Sequence, residues 1–282
     1  MKFKVMIPVD FTPVSAKAID FLSYILDKAT VETHLVHVIQ VNQADWAGSN
    51  RASETIDHQA LQNREKEMAE KFNNLKQHVD FSFSSQILYG GLTTELANYA
   101  KNNQIDLIVM GTKGATGLLE KISGSEAQQL VRHTQIPVIS IHEFASVSPI
   151  QHILWVADFT EKQQQNPATN TVLNLQKLFG AKIHMLQIMT ESNDKQETEL
   201  KTNMQQFAQA MQLQNYELHL KHDYKVPQGV RSFNQETEMD LVIIGTHDRS
   251  GFSKIFHGSA AETLINRCIR PLLTYHIKQS SF

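Results

Sequence analysis

One stretch of the chain has the residue types and spacing to hold an anion. Gly111-Thr112-Lys113-Gly114 follows the apolar run Leu107-Ile108-Val109-Met110, and nine residues later comes Gly124-Ser125. Glycines let backbone N–H groups approach an anion closely, and a helix opening at Ser125-Glu126-Ala127 offers unpaired donors and a positive dipole end. The Ser125 hydroxyl adds a donor, so the combination suits the phosphate tail of a nucleotide. The same residues also suit a plain βα turn, with Gly111 and Gly114 shaping the chain and Ser125 capping the helix. Asp10, after the run Val5-Met6-Ile7-Pro8-Val9, has two readings as well: a ligand acceptor, or a turn-former bonding nearby N–H groups.

The elements that must position these residues are written twice. Residues 106–143 align without gaps on 240–277, with eleven of the 38 positions identical, among them Gly111/Gly245, Gly117/Gly251, Gly124/Gly258, Ser125/Ser259 and Pro137/Pro271. The chain is an internal duplication. A second anchor, Asp10-Phe11-Thr12 and Asp158-Phe159-Thr160, has a longer offset, which puts an insertion near residues 42–55 of the first half. Within each half, β-rich apolar runs alternate with stretches of helical period, the pattern of βαβ units on a parallel sheet. Strands are expected at 3–9, 33–41, 81–89, 105–110 and 136–142, and at 152–157, 182–189, 215–224, 240–244 and 271–276. Helices are expected between the first five at 14–29, 53–78, 91–102 and 124–133. The fold class is therefore α/β: two tandem open parallel five-stranded sheets with helices on both faces, divided into domains 1–146 and 147–282. In such sheets ligands bind beyond the carboxyl ends of strands where the strand order reverses. Asp10 and Gly111 both stand at such ends.

Gly111-x2-Gly114-x9-Gly124-Ser125, followed by Ile136-Pro137-Val138, resembles the motif of the ATP-binding branch of the universal stress protein family. Ile7-Pro8-Val9-Asp10-Phe11-Thr12 and Leu35-Val36-His37-Val38-Ile39 resemble the first two strands of that family, and the likeness spans the chain as two copies. The resemblance implies a Rossmann-like fold of the adenine-nucleotide α-hydrolase type. It places Asp10 and Val38 at the adenine, Gly111 by the ribose, and Gly114, Gly124 and Ser125 at the phosphates, with Pro8, Val9, Met110 and Glu126 completing the set. Lys113 is either a cation for the phosphates or a solvated loop lysine. The implied cofactor is ATP, with Mg2+ as its companion. Family habit also suggests pairing through the last strand, as a homodimer or as a pseudo-dimer inside one chain.

The second copy departs from the motif. It reads Gly245-Thr246-His247-Asp248, then Gly258-Ser259, with Asp158 and Ile188 at the Asp10 and Val38 positions. Asp248 adds a side chain and a carboxylate where phosphate charge would sit, and like charges in a partly dry site repel strongly. ATP is expected in the first half and weakly or not at all in the second. The expected function is a nucleotide-dependent stress-response regulator. A nucleotide-free interaction scaffold and a slow ATPase or autophosphorylating protein are the alternatives, and no catalytic base is evident.

The remaining signals are bounded by composition. The 282 residues carry 26 Lys+Arg against 29 Asp+Glu, and this near-neutral balance gives no footprint for nucleic acid or an anionic membrane. The one cysteine, Cys268, reads as a packed residue in a protein of a reducing compartment. The N-terminal apolar run is too short for a signal peptide, and none approaches the ~20 apolar residues of a membrane span. The reading is a soluble cytoplasmic protein with an unassigned protein partner. No metal set is read: on a strand His219 and His222 face opposite sides, and His37 and His184 read as core or edge histidines. Trp46, in the insertion, covers either a nucleotide crevice or a neighbouring helix.

Overall fold

The computed structural model describes residues 3–26, 31–41, 58–113, 126–189, 194–247 and 268–277. The first half runs β1 (Phe3–Pro8), α1 (Pro13–Leu26), β2 (Val31–Gln40), α2 (His58–His78), β3 (Ser84–Gly90), α3 (Leu92–Asn102), β4 (Leu107–Thr112), α4 (Glu126–His133) and β5 (Val138–His142). The second runs β6 (His152–Val156), α5 (Glu161–Gln164), α6 (Pro167–Phe179), β7 (Lys182–Met189), α7 (Asp194–Ala210), β8 (Tyr216–His222), α8 (Val226–Glu236), β9 (Leu241–His247) and β10 (Leu272–Ile277). Every expected strand is present. The long apolar runs are strands because both sheet faces are covered, so alternation is replaced by continuous Val, Ile and Leu.

Each half supplies five parallel strands, and the two sheets merge into one of ten in the order β3-β2-β1-β4-β5-β10-β9-β6-β7-β8. The join is antiparallel, Leu272 opposite Ser140 and Thr274 opposite Val138, whereas every pairing inside a half is parallel. One core face gathers Val5, Phe21, Leu35, Phe72 and Ile139 with Trp155, Leu175, Phe207 and Tyr275, so it draws on both halves. The other face holds Met6, Val38, Met110, Ala127 and Leu130, with Leu154, Ile188, Val230 and Phe233.

Several residues identical in the two copies have matching structural roles. Asp106 Oδ2 accepts from the Lys4 amide at 2.8 Å, and Asp240 Oδ2 accepts from the His152 amide at 2.8 Å. The Pro137 and Pro271 carbonyls each accept from the neighbouring parallel strand, from Ile108 and Val242 at 3.0 Å. Helix α6 shows complete local signalling. The Asn166 side chain accepts from the Ala168 amide, Pro167 fills the first turn, and Gly180 closes the helix in the left-handed region at φ 62°.

Candidate functional site

The order of the sheet reverses between β1 and β4, since the chain leaves β1 toward β2 and leaves β4 toward β5. That reversal opens a crevice at the carboxyl rim of the first half. Pro8, Val9 and Asp10 end one wall, and Met110, Gly111 and Lys113 end the other. The Val9 amide continues the ladder by donating to the Val36 carbonyl at 2.9 Å, which holds this end of β1 against β2 and brings Val38 alongside. Val38 and Met110 share a core face with Ala127 and Leu130 of α4, so they face the helix that carries Glu126. Val9 lies on the opposite face.

Asp10 is exposed, and its Oδ1 accepts from the Thr12 amide at 3.0 Å and the Thr12 hydroxyl at 2.7 Å. Thr12 Oγ1 in turn caps α1, accepting from the Ser15 amide at 3.4 Å. Partial burial pushes the Asp10 carboxyl up, but hydrogen bonds from Thr12 and Ser15 outweigh it and hold it below the ordinary value. Asp10 therefore forms the local turn, with a carboxylate that stays ionised and keeps acceptor capacity. Glu126 moves the opposite way: desolvation pushes it up, the Asp10 charge adds to that, and Lys113 opposes it. Glu126 thus feels both Asp10 and Lys113 across the crevice.

Gly111 has a role the spacing did not reveal. A Cβ there would lie 2.0 Å from the Val14 carbonyl oxygen of α1, so only glycine lets the helix start pack over the end of β4. Close helix approach, not positive φ, explains this glycine. Phe11 is the residue that sequence reasoning passed over. It adopts φ 60°, and its counterpart Phe159 adopts φ 49°, a conformation uncommon for a bulky residue. Packing compensates: the Phe11 ring meets Phe72 edge-on at 5.0 Å and His37 at 5.8 Å, and Phe159 meets Trp155 and Phe207 at 5.7 and 5.3 Å. The repeated Asp-Phe-Thr triplet was the available signal. His37 is tied by Nδ1 to the Val9 carbonyl at 2.7 Å, which places it beside the crevice as a support. A cleft of about 320 Å³ opens beside Val38, lined also by His37, Ile39, Arg64, Glu67 and Met68. Gly114, Gly124 and Ser125 lie outside the described residues, as do Asp248, Gly258, Ser259 and Trp46.

The second half is built differently at the matching points. Ile188 is fully buried, and its Cδ1 lies 2.6 Å from where a Cβ on Gly229 of α8 would stand. Asp158 is half-buried and its charge reaches the hydroxyl of buried Tyr275. Trp155 Nε1 donates to that hydroxyl at 3.1 Å, and Gln163 Nε2 donates to it as well. Gly245 sits within β9 opposite Tyr275.

Two stretches, residues 1–142 and 149–276, match the sequence model of the Universal stress protein family. The chain belongs to that family. Universal stress protein MJ0531 of Methanocaldococcus jannaschii is 26% identical over 138 residues, covering 49% of this chain and 81% of that one. The Synechocystis universal stress protein Slr1230 is 28% identical over 137 residues, 49% of this chain and 42% of its own. A crystal structure of a universal stress protein from Archaeoglobus fulgidus covers 98% of each chain with a TM-score of 0.74 at 16% identity, which shows a shared fold. No described helix of this tandem universal stress protein is long and apolar enough to cross a membrane.

Proposed function

We propose that this protein binds ATP in its first half and uses the bound nucleotide to regulate a stress response in the cytoplasm. The observation that carries the reading is the placement of Gly111 and Lys113 at the end of β4, across the strand-order reversal from Asp10, in a chain whose next residues complete Gly-x2-Gly-x9-Gly-Ser. The described residues fit the adenosine end of such a ligand. Val38 and Met110 offer an apolar surface on the face turned to α4, and an ionised Asp10 offers an acceptor to an adenine amino group. Gly114, Gly124 and Ser125 would hold the phosphates, with Lys113 and a magnesium ion offsetting their charge. Nucleotide bound at this rim would present a different surface to a protein partner.

The second half is proposed to be degenerate, because Asp248 puts a carboxylate in the loop and Ile188 is closed over by α8. Calorimetry with ATP and magnesium tests the reading: one nucleotide per chain is expected, and Gly114→Asp should abolish it. Two per chain would overturn the argument from Asp248, and full affinity in Gly114→Asp would overturn the site.

A further inference from the structure

The register of β7 and β8 brings together a set of side chains that lies apart from the crevice. His184 of β7 pairs with Glu217 of β8, and His219, two residues on, falls on the same face. His184 Nδ1 lies 3.1 Å from His219 Nε2 and 3.5 Å from Glu217 Oε2, and His219 Nε2 lies 3.6 Å from the same carboxylate oxygen. Three donors bound to one tetrahedral zinc ion at 2.0–2.2 Å stand about 3.4 Å from one another. These three atoms already form that triangle, and an ion just out of their plane would meet each at about 2.0–2.1 Å. The two imidazole planes are inclined by only 17° with centres 5.3 Å apart.

The surroundings prepare the set for a cation. His184 is buried, and its other nitrogen, Nε2, lies 3.1 Å from His152 Nδ1 on β6, so an Nε2–H donated to His152 leaves Nδ1 as a lone-pair donor. Glu217 Oε1 is taken by Lys182 at 2.5 Å, and Oε2 remains beside the histidines. His219 and Glu217 are partly exposed, which leaves a path for the ion and a position for water. The first half lacks the set. Its equivalent of His184 is His34, but Ser84 and Gln86 occupy the register positions of Glu217 and His219. There the Tyr99 hydroxyl takes His34 Nδ1 at 2.9 Å. At the matching point of α8 stands Phe233, which has no hydroxyl and packs edge-on against His219 at 4.9 Å.

We propose that His184, His219 and Glu217 form a zinc site, with water as fourth ligand, that clamps the edge strand β8 onto β7. The inference is independent of nucleotide binding. Metal-free full-length protein titrated with Zn2+ against a chromophoric chelator should take up one tight equivalent and melt at higher temperature as zinc is added. His219→Ala and Glu217→Gln should each weaken that equivalent at least tenfold. His222→Ala should leave it unchanged, since His222 faces away and bonds Glu197 at 2.9 Å. Co2+ should give the intense visible bands of a four-coordinate ion in the native protein and lose them in Glu217→Gln. The proposal is overturned if the two ligand variants, shown folded by far-UV circular dichroism, bind zinc as the native chain does. It is equally overturned if His222→Ala abolishes the tight equivalent or if none is taken up.

Discussion

At the scale of single residues, the site rests on groups whose structural duty and ligand duty coincide. Asp10 folds the turn that starts α1 and leaves an ionised acceptor at the rim. Its folded carboxyl titrates below the ordinary value of 3.8, so the unfolded chain binds the extra proton in the interval between them. The stabilisation is therefore complete above the ordinary value and is lost as pH falls through the folded one. Asp10→Asn, which keeps the acceptor and removes the charge, should be slightly less stable than the native chain at pH 7, by under about 1 kcal/mol after solvent screening. Denaturant titrations should show that gap closing below the folded value; a gap independent of pH would contradict the assignment. Gly111→Ala is a harsher change, because its Cβ meets backbone and not a flexible side chain. It should destabilise by about 1–3 kcal/mol or more, read as a lowered urea midpoint. Of these duties, the Asp10 turn was legible in Asp-Phe-Thr. The left-handed Phe11 was not, since its conformation depends on a ring pocket made by Phe72, distant in sequence.

Elements were legible where their period was long and their neighbours covered both faces. The strands follow from apolar runs, and β8, whose mixed His219-Leu220-Lys221-His222-Asp223 sequence reads as an edge, is at the edge of the sheet. What one sequence does not contain is register. His222 turns away to Glu197, whereas the neighbour of His219 is His184, which only strand alignment reveals. Lys182 is the element-level opponent of a metal there, since its ammonium shares Glu217 with the site. Lys182→Met should tighten zinc several-fold, and an unchanged or weaker affinity would remove Glu217 from the ligand set. On the opposite face, Tyr275 ties β10 to β6 and to α5 through Trp155 and Gln163. Tyr275→Phe leaves both buried donors without that acceptor. The expected loss is about 1–3 kcal/mol for each donor left unmet, seen as a lower urea midpoint at unchanged slope.

For the whole molecule, the duplication was plain in the sequence, whereas the fusion of two sheets into one came from the structure. Residues of both halves share a core face, from Val5 and Ile139 to Trp155 and Tyr275. Unfolding should therefore be a single cooperative event. Trp155→Ala, at a fully buried side chain, should remove about 3–5 kcal/mol and shift the whole transition; a calorimetric trace resolving two separate melts would contradict this. The two copies have also diverged in opposite senses. The first keeps the glycines of the anion loop and has Ser84 and Gln86 at the register positions where the second has Glu217 and His219.

The antiparallel pairing of β5 with β10 has a consequence for dilution. Two separate chains meeting along such a strand would part as their concentration dropped. Here the partners are tethered through residues 143–151, between β5 and β6, and a short tether sets a local concentration in the millimolar range. The strand pair should persist at the lowest protein levels at which the chain itself stays folded, so the state of the sheet is insulated from how much protein the cell makes.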